Sequence, residues 1–248
     1  FNEAFLVSKQ IRDNLIKGNT KFNEILVPVV DGKNIKPWTM KWLNKYLIYS
    51  HNGSSRRSIK PINLKKDFLD IFKILEKHKN ELKKRTDQGD HWSNLRDCDY
   101  FDKFSENKII WSDISTEPSF FFDSKKFYAL NNCYLMFGQD DLLKYLLAIL
   151  NSNVFKYLFE NFYSGGELGN NGYRYIKEFI IKVPVPKESK FKKNIIKLVD
   201  KIIIEDPPQA KLNKLSQEIN FLVEKTYGLS TDEINLINYG LSDKQTFS

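Results

Sequence analysis

The segment Val183-Pro184-Val185-Pro186 most constrains what this chain can fold into. Proline fixes φ and lacks a backbone N–H, so neither a helix nor a central strand can run through this segment. Strand-like runs and two helical patterns precede it, whereas only helical patterns follow it. The sequence therefore predicts an α+β fold. We expect a mixed α/β domain over residues 1–186, with a twisted sheet and flanking helices, and a C-terminal helical appendage over residues 187–248.

Short runs with the composition of β-strands lie in the first part of the chain. They are rich in β-branched and aromatic residues, and Gly18, Gly32 and Gly53 stand in turns that bound the first of them. From Phe1 to about Pro61 the whole pattern is strand-like. The predicted strands cover residues 4–7, 24–30, 45–50, 108–112, 120–123 and 133–137.

Two helical patterns interrupt the strands. Residues 63–85 place large apolar side chains three and four positions apart, with Asn63 as the N-cap and lysines crowding the last turn. Residues 139–162 repeat this spacing around Leu143, Leu147 and Leu150. Each pattern predicts one continuous helix with one apolar face.

Beyond Pro186 the helical patterns cover residues 191–204 and 210–227, which Asp206-Pro207-Pro208 separates. Gly228 is predicted as the residue that ends the second of these helices. Ser230 and Glu233 have the Ser-x-x-Glu spacing of a capping box and predict a last short helix.

The basic excess of the chain is concentrated in one stretch. The net charge is +8, and residues 54–96 contain twelve Lys and Arg against six Asp and Glu, a local excess of +6. Such a stretch fits either a solvated helix face or a surface that follows phosphates. Arg56 and Arg57 favour the second reading, because they lie in a Gly/Ser turn from which a guanidinium can reach a partner.

Other classes of protein are excluded by composition. No apolar run approaches the roughly 18–20 residues of a membrane span, so no membrane partner is expected. Cys98 and Cys133 are too few for a disulfide framework or a zinc cluster, which predicts a reducing, cytoplasmic location. The chain opens without an initiator methionine, and we expect it to be a piece of a longer protein.

No catalytic or metal-binding set emerges from the motifs. The histidines are scattered, and the loop from Gly165 to Gly172 lacks the Gly-Lys-Ser/Thr ending of a phosphate-binding loop. Glu106-Asn107-Lys108 and Asp123-Ser124-Lys125 each fit the acid-x-Lys half of a Mg²⁺-dependent nuclease motif, but such tripeptides are common by chance in a charged chain. Asp206-Pro207-Pro208-Gln209 is similar to the Asp/Asn-Pro-Pro-aromatic motif of amino-methyltransferases, but it lacks the aromatic residue. We therefore predict no catalytic residues, no metal and no cofactor in this chain.

Several motifs follow one another in a familiar order. They include Gly32-Lys33-Asn34-Ile35-Lys36-Pro37-Trp38, Lys108-Ile109-Ile110-Trp111-Ser112-Asp113-Ile114-Ser115, Tyr145-Leu146-Leu147-Ala148-Ile149-Leu150-Asn151-Ser152, a closing strand from Tyr173 to Pro186, and the shorter segments 1–5, 45–49, 92–96 and 215–237. Over nearly the whole chain this order resembles the TaqI-like C-terminal specificity domain. Type IIG restriction–modification enzymes and related adenine-specific DNA methyltransferases use this domain for target recognition.

The resemblance implies a sequence-specific partner, double-stranded DNA, and a parent enzyme with an upstream methyltransferase and often a nuclease. The cofactors of that parent would be S-adenosylmethionine and Mg²⁺. The family names no catalytic residues in this region. A different class stays open as the alternative, namely a protein-interaction or scaffolding domain whose basic face only increases solubility. A stand-alone nuclease or methyltransferase is a third reading, which rests on the incomplete motifs.

The candidate DNA-binding residues combine lysines suited to phosphates with arginines suited to base edges. Arg174 and Lys177 are included because they follow the glycine-rich loop; alternatively, Arg174 merely pairs with a carboxylate such as that of Glu178. The full candidate set is Lys33, Lys36, Arg56, Arg57, Lys60, Lys83, Lys84, Arg85, Arg96, Arg174 and Lys177.

Overall fold

A computed structural model describes residues 2–54 and 58–246. The chain forms two compact units, each of mixed α and β structure, and the predicted α+β class is confirmed. Unit 1 comprises Phe1–Val30, Trp42–Glu106 and Lys126–Tyr128. Unit 2 comprises Asp31–Lys41, Asn107–Lys125 and Ala129–Ser248.

The strands of the described residues are short. They are β1 (Leu6–Ser8), β2 (Leu26–Val30), β3 (Ile35–Lys36), β4 (Thr39–Met40), β5 (Lys45–Ile48), β6 (Lys108–Ser112), β7 (Ile114–Ser115), β8 (Phe120–Asp123), β9 (Tyr128–Ala129), β10 (Cys133–Phe137) and β11 (Tyr173–Arg174).

The longest helices of the described residues lie toward the C-terminus. They are α1 (Lys9–Gly18), α2 (Leu64–Asp67), α3 (Leu69–Glu76), α4 (Lys79–Leu82), α5 (Asp140–Leu150), α6 (Asn153–Leu158), α7 (Lys177–Ile180), α8 (Lys192–Glu205), α9 (Gln209–Tyr227) and α10 (Thr231–Thr246). Among the described residues, no helix is both long enough and apolar enough to cross a membrane.

Unit 1 packs short helices against an antiparallel sheet in which β5 lies between β1 and β2. Ile48 of β5 and Ile71 of α3 are fully buried in its core. The helix α1 corrects the expectation that the first 61 residues are strand-like throughout. Ser8 caps this helix by accepting a hydrogen bond from the Ile11 N–H (3.3 Å), and none of its residues is buried.

The single helix predicted over residues 63–85 is wrong, because α2, α3 and α4 replace it. Asn63 is the N-cap as predicted, and its side chain accepts from the Lys66 N–H (3.1 Å). Phe68 and His78 have non-helical backbone angles and separate the three helices. Leu64, Phe72 and Leu82 of the predicted apolar face reach the core, whereas Leu69 is 49% exposed. The spacing therefore predicted most of the buried side chains but not the breaks in the helix.

Unit 2 is built on the antiparallel sheet β10-β6-β8, whose central strand β6 is buried at every residue. The helix predicted over residues 139–162 divides into α5 and α6, and this corrects the prediction of one helix. The Asn151 side chain binds both the N–H and the carbonyl of Phe120 (3.0 Å each), which ties the end of α5 to β8. Ser152 then caps α6 by accepting from the Phe155 N–H (3.1 Å).

The predicted C-terminal helices are present, but the last one, α10, is 16 residues long and corrects the prediction of a short helix. Gly228 has the positive φ of +70° that a helix-ending residue needs, and the capping box forms with the Ser230 N–H donating to Glu233 (2.7 Å). Ile195 of α8 and Ile219 of α9 are fully buried in the same core as the sheet of unit 2. The division of the chain at Pro186 stays a prediction about its organisation.

We expect a chain that ends at Pro186 to lose the cooperative unfolding of unit 2, because α8 and α9 supply fully buried residues to its core. Circular dichroism and thermal unfolding of the shortened and the 248-residue chains check this. A shortened chain with the full-length melting temperature would show instead that residues 1–186 fold alone.

A buried ion pair lies inside the main sheet of unit 2. Lys108 of β6 and Asp123 of β8 lie opposite each other, with Nζ and Oδ2 2.6 Å apart and both side chains at 0% exposure. Removing one partner of such a pair leaves an uncompensated charge in the core. The pair therefore favours the one register in which the two charges meet.

Lys108→Met or Asp123→Leu alone should lower the free energy of unfolding by about 3–5 kcal/mol, and the double variant should recover most of that loss. Urea unfolding followed by tryptophan fluorescence measures both effects. Lys73→Met is the matched control, because Lys73 and Asp70 form an exposed pair, and it should change little. A double variant no more stable than either single one would contradict this account.

Candidate nucleic-acid interface

The two incomplete nuclease motifs contribute one residue each to the buried ion pair. Lys108 and Asp123 come from the two acid-x-Lys tripeptides, and their charged groups bind each other out of contact with solvent. The second oxygen of Asp123 accepts from the Lys125 N–H (2.8 Å). These residues therefore do not fit a Mg²⁺ site. Over the described part of the chain, no cluster of histidine, cysteine and acidic side chains could hold a metal ion.

The basic candidates of unit 1 divide into exposed and buried residues. Lys60, Lys83, Lys84 and Arg96 are exposed, as contact with DNA requires. Arg85 is only 7% exposed; its guanidinium donates to the carbonyl of Asn94 (2.7 Å) and lies over the ring of Phe5 (4.6 Å).

The burial of Arg85 argues against its place among the DNA-binding candidates, because its guanidinium already donates to a carbonyl inside unit 1. Arg56 and Arg57, which favoured the prediction of a surface that follows phosphates, lie outside the described residues.

In unit 2, the turn around Gly32 is fixed by a polar cluster. A Cβ at Gly32 would lie 2.8 Å from Ser112 Oγ, so only glycine fits there. Asp31 accepts from Asn132 (2.9 Å) and pairs with Lys33 (3.1 Å). Burial raises the pKa of Asp31, but these hydrogen bonds outweigh it and hold the pKa below its usual range. The carboxylate of Asp31 thus compensates part of the positive charge of Lys33.

Lys36 occupies a better position for contact with an anion. It is exposed at the end of β3, which pairs with β4 in a hairpin. The turn of this hairpin contains Trp38, which is buried and donates from its backbone to Phe120 (3.1 Å) and from its indole to Ser216 (3.3 Å). The buried tryptophan holds the hairpin, so the base of the Lys36 side chain is fixed while its ammonium stays in solvent.

Arg174 projects outward between two buried tyrosines. Tyr173 is 6% exposed and Tyr175 is 1% exposed, whereas Arg174 is exposed. The Tyr175 carbonyl accepts a hydrogen bond from the Trp111 indole (2.6 Å). The ring of Tyr175 stacks on the ring of Phe159, with the two centroids 4.5 Å apart. Burial raises the pKa of Tyr175, so this side chain stays neutral. The direction of Arg174 is therefore set by its neighbours.

The glycine-rich loop before Arg174 is held at both ends. Gly172 has a φ of +81°, and a Cβ there would collide with the Ser115 carbonyl. A Cβ at Gly165 would lie 2.7 Å from the ring of Phe179. Gly166 and Gly169 between them face open space. The loop is thus anchored at its base and open at its tip.

The alternative in which Arg174 pairs with Glu178 is not seen. Glu178 approaches Lys177 instead, at 4.0 Å, and no ion pair within the described residues includes Arg174. Lys177 is exposed at the first residue of α7. The closing strand inferred from the resemblance is corrected, because β11 ends at Arg174 and the chain turns into α7.

Sequence reasoning missed two apolar residues beside Arg174. Ile114 is 39% exposed and lies opposite Arg174 in the β7–β11 pair, and Leu168 of the glycine-rich loop is 40% exposed. The alternation Tyr173-Arg174-Tyr175 was the available signal, since it predicts an outward arginine between inward tyrosines. Nothing in the sequence indicated the partner strand.

Comparisons with known proteins identify the family of the chain. A family model described as the TaqI-like C-terminal specificity domain matches residues 27–185, well over half of the chain. The type II methyltransferase M.BanIII of Aneurinibacillus aneurinilyticus is 24% identical over 135 residues, which are 52% of this chain and 23% of that protein.

Two solved structures match over most of this chain, and the first of them is similar in fold. The type IIL restriction–modification enzyme MmeI, solved in complex with DNA, matches with a TM-score of 0.63 at 15% identity over 98% of this chain and 34% of MmeI. The type IIG restriction endonuclease BpuSI has a TM-score of 0.46 at 14% identity, over 90% of this chain and 28% of BpuSI. The chain thus spans about a quarter to a third of these relatives.

The family match defines the chain as a DNA target-recognition domain of the restriction–modification type. More particularly, the chain belongs to the family of TaqI-like C-terminal specificity domains, and the resemblance seen in its motifs is confirmed.

Gly172→Ala should lower the free energy of unfolding by about 1–3 kcal/mol, because its backbone conformation suits glycine and the added Cβ meets Ser115. Thermal unfolding measures the loss. Gly169→Asn is the matched control: Gly169 has a φ of +58° with open space around it, and asparagine tolerates that conformation. Equal losses in both variants would contradict the proposed anchoring of the loop.

Proposed function

We propose that this domain positions the methyltransferase and nuclease of a type IIG-like restriction–modification enzyme on its double-stranded DNA site. The observation that carries the proposal is Arg174, an exposed arginine held outward by buried tyrosines beside an anchored glycine-rich loop. Arginine donates two parallel hydrogen bonds to guanine O6 and N7, and such a pair discriminates by about 1–3 kcal/mol.

The exposed lysines serve a different role in this proposal. Lys83 and Lys84 follow α4, and their ammonium groups are point charges on flexible stems. Contacts with phosphates fix the position of a protein on DNA but carry no sequence information. Lys36, Lys60, Arg96 and Lys177 belong to the same set of phosphate contacts, together with Lys33 to the extent that Asp31 leaves it free.

The chemistry of the parent enzyme belongs to other domains. The buried Lys108–Asp123 pair does not fit Mg²⁺, and Gln209 stands where an amino-methyltransferase motif has an aromatic residue. S-adenosylmethionine and Mg²⁺ are therefore proposed as cofactors of the parent only. Both cysteines are free thiols, which supports a proposed cytoplasmic location.

Lys83→Ala with Lys84→Ala should weaken binding to all duplexes alike and reduce the slope of log K against log salt by about 2. Arg174→Ala should instead abolish the preference for the cognate site while largely keeping non-specific binding. Competition binding at 50 and 200 mM salt, in the full-length parent, measures both effects against cognate and scrambled duplexes.

Lys197→Ala with Lys201→Ala is the control, because it removes the same charge from exposed positions on α8 outside the proposed interface. If this control changes the salt slope as much as the Lys83 and Lys84 variant does, the phosphate contacts are wrongly placed. If no duplex is bound at low salt, the alternative of a protein-interaction domain with a solubilising basic face replaces DNA recognition.

A further inference from the structure

Arg174 shares its exposed face with an apolar side chain from the neighbouring strand. In the antiparallel pair of β7 and β11, Arg174 lies opposite Ile114, and Tyr173 lies opposite Ser115. Residues directly opposite each other point to the same face with Cβ atoms about 4.5–5.5 Å apart. Because Tyr173 is buried, Arg174 and Ile114 together form the outward face.

Leu168 extends this face on the other side. Its backbone N–H donates to the Gly172 carbonyl (2.7 Å), and Glu167 and Tyr173 form an antiparallel bridge, so Leu168 lies opposite Gly172. Gly172 precedes Arg174 by two residues and adds no side chain between them. Leu168, Arg174 and Ile114 form what is called here the Arg174 face.

The two apolar side chains of this face have no structural role in either core. Ile114 is 39% exposed and Leu168 is 40% exposed, and neither belongs to the hydrophobic clusters of unit 1 or unit 2. Two exposed branched side chains on either side of an arginine suit a ligand that presents an apolar group beside a hydrogen-bonding one. In the major groove, the C5 methyl of thymine is that apolar group.

We infer that Ile114 and Leu168 are specificity-determining residues that contact a thymine methyl group next to the base read by Arg174. This inference rests on the proposed function and adds a chemical requirement to it. The recognised sequence contains a thymine whose methyl group contributes to affinity. A face that bound protein instead would not respond to one methyl group on a DNA base.

The test removes the methyl group from DNA without changing base pairing. The 248-residue chain selects duplexes from a randomised pool, and each thymine of the enriched sequence is then replaced in turn by deoxyuridine. At one position or more, this replacement should weaken binding about three- to fivefold, as expected for losing one buried methyl group. With Ile114→Ala and Leu168→Ala combined, the thymine and deoxyuridine duplexes should bind equally.

Ile204→Ala with Leu236→Ala is the matched control. Both side chains are exposed, at 79% and 57%, and lie on α8 and α10. This variant should keep the full penalty for deoxyuridine, and thermal unfolding of both double variants should match the unsubstituted chain, because exposed side chains add little to stability.

The outcomes distinguish this inference from the function it extends. If an enriched sequence is found but no thymine is sensitive to loss of its methyl group, or the Ile114 and Leu168 variant keeps the sensitivity, the inference is overturned and DNA recognition stands. If the pool yields no enriched sequence, both the proposed function and the inference fall.

Discussion

The hydrogen bond from the Trp111 indole to the Tyr175 carbonyl connects the core of unit 2 to its candidate interface. Trp111 is buried in the central strand β6, so this hydrogen bond fixes the position of the backbone next to Arg174. Tyr175 also donates its backbone N–H to Asp113 (2.8 Å), just beyond the same strand. A long arginine side chain loses less conformational freedom on binding when its backbone is already held.

The two kinds of basic residue are mounted differently, and this difference matches their proposed roles. Arg174 lies on a strand, and the residues directly before and after it are buried. Lys83 and Lys84, in contrast, follow a one-turn helix and extend into solvent on flexible side chains. A base edge has to be met at a defined place and angle, because its donors and acceptors are fixed. A phosphate tolerates many approaches, so a flexible ammonium is sufficient.

Much of the fold could be predicted from the sequence, and the failures have identifiable causes. The spacing of apolar residues over 63–85 predicted most of the buried side chains, although Leu69 is exposed. A linear pattern does not show where the backbone leaves the helix at Phe68 and His78. Arg85 stands in a basic run, yet its guanidinium lies over the ring of Phe5, far from it in sequence, and donates to the Asn94 carbonyl. The pairing of Ile114 with Arg174 is equally non-local, and so the apolar part of the face was missed.

The anchoring of Gly172 against Ser115 bears on how such a domain acquires a new target. The glycine and the buried tyrosines keep the backbone of the Arg174 face in place, while its exposed side chains contribute little to the core. Substitutions at such exposed positions usually change stability by only about 0.5 kcal/mol or less. In the proposed role of this face, substitutions that change the recognised sequence therefore carry almost no folding penalty, and the target can diverge while the scaffold stays the same.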